Sequence, residues 1–81
     1  MRIELLLFAQ LRDLFETERL SIEVPDGTTA EAAATELLAE SSEPGVARMP
    51  LMFAVNDEYV TANHELTDGD CLALITPFSG G

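Results

Sequence analysis

The sequence runs to 81 residues, 47% of them hydrophobic, with 15 acidic side chains, four arginines, no lysine and a formal net charge of −11. That length fits one domain with a small core, and the acid excess argues against direct contact with nucleic acid, whose phosphates such a surface repels. A lone Cys71 excludes an internal disulfide and a cysteine-only metal site; no apolar run nears the ~20 residues that span a bilayer, and no signal peptide is expected from the acid-interrupted start, so a cytoplasmic location is expected.

Residues 2–8 alternate, with Ile3, Leu5 and Leu7 on one side and Glu4, Leu6 and Phe8 on the other, which is strand period. Residues 9–15 suit a short helical turn with Leu11, Leu14 and Phe15 on one side. Glu16 and Glu18 read as solvated loop. Residues 19–24 alternate again: Leu20, Ile22 and Val24 point inward, and Arg19, Ser21 and Glu23 outward. Pro25-Asp26-Gly27 is a turn signal. Thr28 with Glu31 reads as a capping box opening a helix that runs to about Ser41. Ala30, Ala33, Ala34, Leu37 and Leu38 form its buried face, while Glu31, Thr35, Glu36 and Glu40 meet water.

Residues 41–50 read as a loop. A strand is expected over 51–56, a turn at Asn56-Asp57-Glu58, and a short strand at Tyr59-Val60-Thr61. Thr67-Asp68-Gly69-Asp70 is another turn, lacking the ligand spacing of a calcium loop. The last strand spans 71–76, with Leu72 and Leu74 on one face and Cys71, Ala73 and Ile75 on the other. His64 stands alone and reads as a surface histidine, so no metal site is expected. Cys71 reads as a packing cysteine rather than a sulfur relay.

Strand, strand, helix, then strands is the order of an α+β, β-grasp (ubiquitin-like) fold. A mixed sheet would be covered on one face by a single main helix, with the last strand central. Residues 1–76 would form this domain and 77–81 an extended tail. The other sheet face has no cover of its own. Parity puts Leu6, Phe8, Ala73 and Ile75 there, joined by Tyr59, as an apolar patch of the kind that marks a protein partner.

The sequence closes on Ser79-Gly80-Gly81. Glycines enter slots too narrow for other residues, and five extended residues reach at most roughly 17 Å at ~3.3–3.6 Å each. Pro77 would stiffen the root of this leash, Phe78 would anchor it, and Ser79, Gly80 and Gly81 would thread into a partner. A terminal carboxylate reacts only once activated, most simply as an acyl-adenylate. A lysine attacking it gives a protein conjugate; a persulfide attacking it leads to a thiocarboxylate. The chain carries no phosphate loop, lysine or nucleophile–base pair for the activation step. Lacking lysine, it also offers no side-chain amine as an isopeptide acceptor.

Phe8-Ala9-Gln10-Leu11-Arg12, Ala54-Val55-Asn56, Leu66-Thr67-Asp68-Gly69-Asp70 and the terminal Ser79-Gly80-Gly81 together resemble the small, sulfur-carrying subunits of molybdopterin synthase, over the whole chain. The resemblance implies that Gly81 is adenylated by a ubiquitin-activating-like adenylyltransferase that uses ATP, then converted to a thiocarboxylate by a persulfide donor protein. It implies that Gly80 and Gly81 thread into the large subunit, whose residues do the catalysis, and that sulfur passes to cyclic pyranopterin monophosphate. Two carriers would flank a dimer of large subunits. No bound cofactor is implied for the carrier itself. The family's docking surface corresponds to Phe8, Tyr59 and Ile75, with Pro77, Phe78 and Ser79 along the tail. This chain departs from the family pattern at Pro77-Phe78-Ser79, Glu65 and Cys71. A sulfur carrier for a thiazole, tRNA-thiolation or tungsten-cofactor pathway, or a ubiquitin-like protein modifier, are the alternative readings.

Overall fold

The computed structural model describes residues 1–40 and 50–76. These form β1 (Arg2–Leu7), α1 (Ala9–Phe15), β2 (Arg19–Glu23), α2 (Ala30–Leu38), β3 (Met52–Val55), β4 (Glu58–Val60) and β5 (Cys71–Ile75). The strands make one mixed sheet in the order β2-β1-β5-β3-β4. β1 pairs antiparallel with β2 and parallel with β5, while β3 lies antiparallel to both β5 and β4. The last strand is therefore central and the first is its neighbour, as the β-grasp order requires.

One face of the sheet is the core. Ile3, Leu5 and Leu7 of β1, Leu72 and Leu74 of β5, and Phe53 and Val55 of β3 are buried against Ala30, Ala33, Ala34, Leu37 and Leu38 of α2. Three alanines on that helical face bring the helix axis close to the strands. Leu11 of α1 and Leu66 close the ends of the core.

The entry to α2 differs from the expected capping box. Thr28 belongs to the preceding turn, where its backbone N–H and its hydroxyl both donate to the Pro25 carbonyl, at 3.2 and 2.7 Å. The cap is Thr29, whose Oγ1 accepts the Ala32 N–H at 3.1 Å. The first helical N–H groups find carbonyls outside the helix: Ala30 donates to His64 and Glu31 to Ala62. A helix start leaves its first N–H groups unpaired by the helix itself, and here residues 61–66 supply acceptors. A capping-box pattern cannot anticipate partners that far along the chain. The helix ends at Leu38, three residues short of Ser41, which lies outside the described residues.

β3 and β4 are joined by Asn56 and Asp57 alone, both at positive φ (50° and 74°). That is the backbone of a two-residue hairpin turn whose twist matches its strands. β4 begins at Glu58, one residue before the expected Tyr59, and stops before Thr61. Thr61 turns away instead, its carbonyl accepting the His64 N–H and its hydroxyl donating to Asn63.

Candidate functional site

The second face of the sheet is the candidate site. Antiparallel and parallel registers line up its side chains: Leu6 opposite Ala73, Ala73 opposite Ala54, Ala54 opposite Tyr59, and Met52 opposite Ile75. Phe8 follows β1 at one end. Phe8, Met52 and Tyr59 are the exposed large hydrophobics among the described residues, at 45%, 42% and 70% of full exposure. An open groove of about 410 Å³ runs across the face, lined by Leu6, Phe8, Ala54, Tyr59, Ala73 and Ile75, with Asn56, Asp57 and Cys71 at its polar end. A second hollow of about 340 Å³ lies between Phe8, Ala9, Ile75 and Thr76, at the end of β5.

Phe8, Tyr59 and Ile75, expected from parity and resemblance, thus share one groove, with Leu6 and Ala73 between them. Pro77, Phe78, Ser79, Gly80 and Gly81 lie outside the described residues. Met52 and Ala54 were not anticipated. Their signal was available in part: Phe53 and Val55 had to face the core, so Met52 and Ala54 had to face away. That β3 lies beside β5, which puts them in the patch, is decided by the sheet order.

The position of Phe8 has a local cause. Phe8 is extended (φ −125°, ψ 155°) and Ala9 then adopts φ 49°. The left-handed region costs an alanine roughly 1–2 kcal/mol. The chain accepts this bend as it leaves β1 and enters α1, whose Leu11 is fully buried while Phe8 remains on the outer face.

The far half of the same face, over β2 and the start of β1, is charged. Arg2 pairs with Glu23 directly across the strands at 3.5 Å, and the Arg19 guanidinium lies against the Glu4 carboxylate. The outer face is thus divided into a charged half and an apolar half, along β1.

Two of the sequence segments that carry the family resemblance meet at the groove's polar end. Asn56 Nδ2 donates to Asp70 Oδ1, and Asn56 Oδ1 accepts the Cys71 N–H, both at 3.2 Å. Asp70 Oδ2 accepts the Thr67 N–H at 2.8 Å, and Asp68 Oδ1 accepts the Arg2 N–H at 2.8 Å. Gly69, at φ 88°, donates its N–H to the Arg2 carbonyl. These polar residues tie the β3–β4 hairpin and the start of β1 to the start of β5. Asp68 and Asp70 are turn residues here, and His64 is exposed.

Cys71 is half-buried at the same end, opposite Glu4 across the parallel pair. Burial, and then the Glu4 charge, push its thiol pKa up, with Arg19 pulling the other way. A thiol held protonated is a poor nucleophile, which fits a packing cysteine.

A computed family description, the ThiS family, matches residues 5–81. The molybdopterin synthase sulfur carrier subunit of Escherichia coli (strain K12) is 37% identical over 98% of this chain and 99% of its own length. Among solved structures, the small archaeal modifier protein SAMP1 from Haloferax volcanii superposes with a TM-score of 0.79 at 22% identity, covering all of both chains. In the protein–protein complex of subunits 1 and 2 of the molybdopterin-converting factor from Helicobacter pylori 26695, a chain superposes with a TM-score of 0.62 at 24% identity, again over the whole of both chains. This chain belongs to the ThiS family, and within it to the molybdopterin synthase sulfur carrier subunits.

Proposed function

We propose that the protein is the sulfur-donating small subunit of a molybdopterin synthase and leaves catalysis to its partners. The observation that carries this reading is the apolar outer face, in a chain that bears Ser79-Gly80-Gly81 and is 37% identical to a sulfur carrier subunit over nearly its whole length. The apolar half of the sheet docks, and the tail rooted at Thr76 delivers the Gly81 carboxylate.

The chemistry follows from that carboxylate. A ubiquitin-activating-like adenylyltransferase joins it to the AMP moiety of ATP and releases pyrophosphate. The terminal sulfur of a persulfide protein then displaces AMP, giving an acyl disulfide. A thiol cleaves the S–S bond, forming a disulfide and freeing the thiocarboxylate. In the large synthase subunit, that soft sulfur attacks a carbon of cyclic pyranopterin monophosphate, and water then cleaves the acyl–sulfur bond, leaving the sulfur on the pterin and restoring the Gly81 carboxylate. ATP is thus used by the partner, and no cofactor is assigned to this chain. Two carriers flanking a dimer of large subunits would make a heterotetramer. The cytoplasm is the compartment that fits; among the described residues no helix is long and apolar enough to cross a membrane.

The test is the intact C-terminal mass of protein isolated from its own cells. Replacement of one carboxylate oxygen by sulfur is expected, and deletion of Gly81 should abolish molybdoenzyme activity. A tail attached to lysines of other proteins would instead make this a modifier, a reading that the shared fold with SAMP1 keeps in view. An unmodified tail, with full activity after Gly81 deletion, overturns both.

A further inference from the structure

The corner where the apolar face meets α1 carries a charge that the docking reading leaves unexplained. A hollow of about 310 Å³ is lined there by Leu6, Leu7, Phe8, Arg12, Glu18 and Arg19. It shares Leu6 and Phe8 with the docking groove. Arg19 is committed to Glu4, and Arg2, at the far end of β1, to Glu23. Arg12 is exposed and, among the described residues, is the arginine without a carboxylate within ion-pair distance, Glu18 included.

A partner seated on Phe8 covers this corner as well. Removing a guanidinium from water without an opposite charge is costly. In a chain of net charge −11 the complementary partner surface is basic on average, and a base placed over Arg12 would repel it. A partner carboxylate at that one point offsets the cost with the strongest acceptor a guanidinium can meet.

We propose that Arg12 is the charged registration point of the docking face, engaged by an aspartate or glutamate side chain that the partner places in the corner beside Phe8. A guanidinium accepts a carboxylate in a two-pronged, planar geometry. One inverted charge pair on an otherwise acid-to-base interface sets the rotation of the carrier on its partner. This inference rests on the docking reading proposed above.

The experiment is calorimetric titration of the full chain into the purified large subunit, with wild type, Arg12→Glu, Arg12→Gln, Arg2→Glu and Phe8→Asp compared. Arg12→Glu should weaken binding by about tenfold or more at ~50 mM salt, and Arg12→Gln by less, with the melting temperature unchanged. The deficit should narrow at ~1 M salt, where screening acts within about 3 Å. Arg2→Glu, with the same change in net charge at the other end of the face, should cost less than about threefold. Equal losses from Arg2→Glu and Arg12→Glu would reduce the effect to net charge and overturn the proposal. So would Arg12→Glu binding like wild type. If Phe8→Asp abolishes binding in that last case, the docking reading stands and only the Arg12 assignment fails. If Phe8→Asp binds normally, the docking reading fails and takes the Arg12 assignment with it.

Discussion

The two faces of one sheet are built from the same strands and have opposite fates. On β1, Leu5 is fully buried and its neighbour Leu6 is only partly covered; the same alternation separates Leu74 from Ile75 on β5. The inner face is closed by α2, α1 and the 61–66 segment, and its side chains hold the fold together. The outer face is similarly apolar over half its area, yet no element of the described residues lies across it. The difference is therefore one of cover rather than of composition. Burial against the chain itself makes a leucine structural, and the same leucine type on the uncovered side becomes surface for another molecule.

Truncation should separate the faces by the largest margin. Leu5→Ala on the inner face should cost about 2–5 kcal/mol, because it leaves a cavity in a packed core. That is a large share of the ~5–15 kcal/mol typical of a whole domain. Leu6→Ala, one residue along, should cost about 1 kcal/mol or less. Urea denaturation of the pair checks this, and equal losses would mean that the outer face is covered by the chain itself.

The cover can be loosened without touching the faces. Gly69→Ala should lose about 1–2 kcal/mol, since the φ of 88° is unfavourable for any side chain. A methyl there would meet no atom within 4 Å, so the loss comes from the backbone alone. Removing the α2 cap by Thr29→Ala should cost about 1 kcal/mol, whereas Thr28→Ala should cost less; thermal melts of the two variants locate the cap.

Phe8→Asp should move stability by only about 0.5 kcal/mol while abolishing binding to the large subunit, which a melt and a titration on one preparation would reveal. The smallest effect concerns pH. Burial and the Glu4 charge both disfavour the Cys71 thiolate, so alkylation by iodoacetamide should lag behind that of a free cysteine near pH 8 and recover only at higher pH. The urea-unfolded chain should react at the ordinary rate. A folded thiol that reacts as fast as the unfolded one would place Cys71 among reactive cysteines, and would reopen the sulfur-relay reading.

Much of this was legible in the residues alone. Period-two alternation at 2–8, 19–24 and 71–76 and the 3.6-residue spacing of Ala30, Ala33, Ala34, Leu37 and Leu38 depend on local geometry that the sequence specifies directly. Their order along the chain then led to the β-grasp, parity led to Leu6, Phe8, Ala73 and Ile75, and the family resemblance added Tyr59. Three matters needed the folded chain. The cap of α2 moved from Thr28 to Thr29 because a turn claimed Thr28 and distant carbonyls served the helix's first N–H groups. Met52 and Ala54 joined the apolar face because β3 settled beside β5, a pairing between residues some twenty positions apart in sequence. The division of the outer face into a charged and an apolar half arose from the β1–β2 register, which set Arg2 opposite Glu23 and brought Arg19 to Glu4. Alternation fixes which side of its own strand a residue occupies. Which strands stand next to each other, and so which residues become one surface, depends on contacts that close long loops, and only the tertiary structure supplies those.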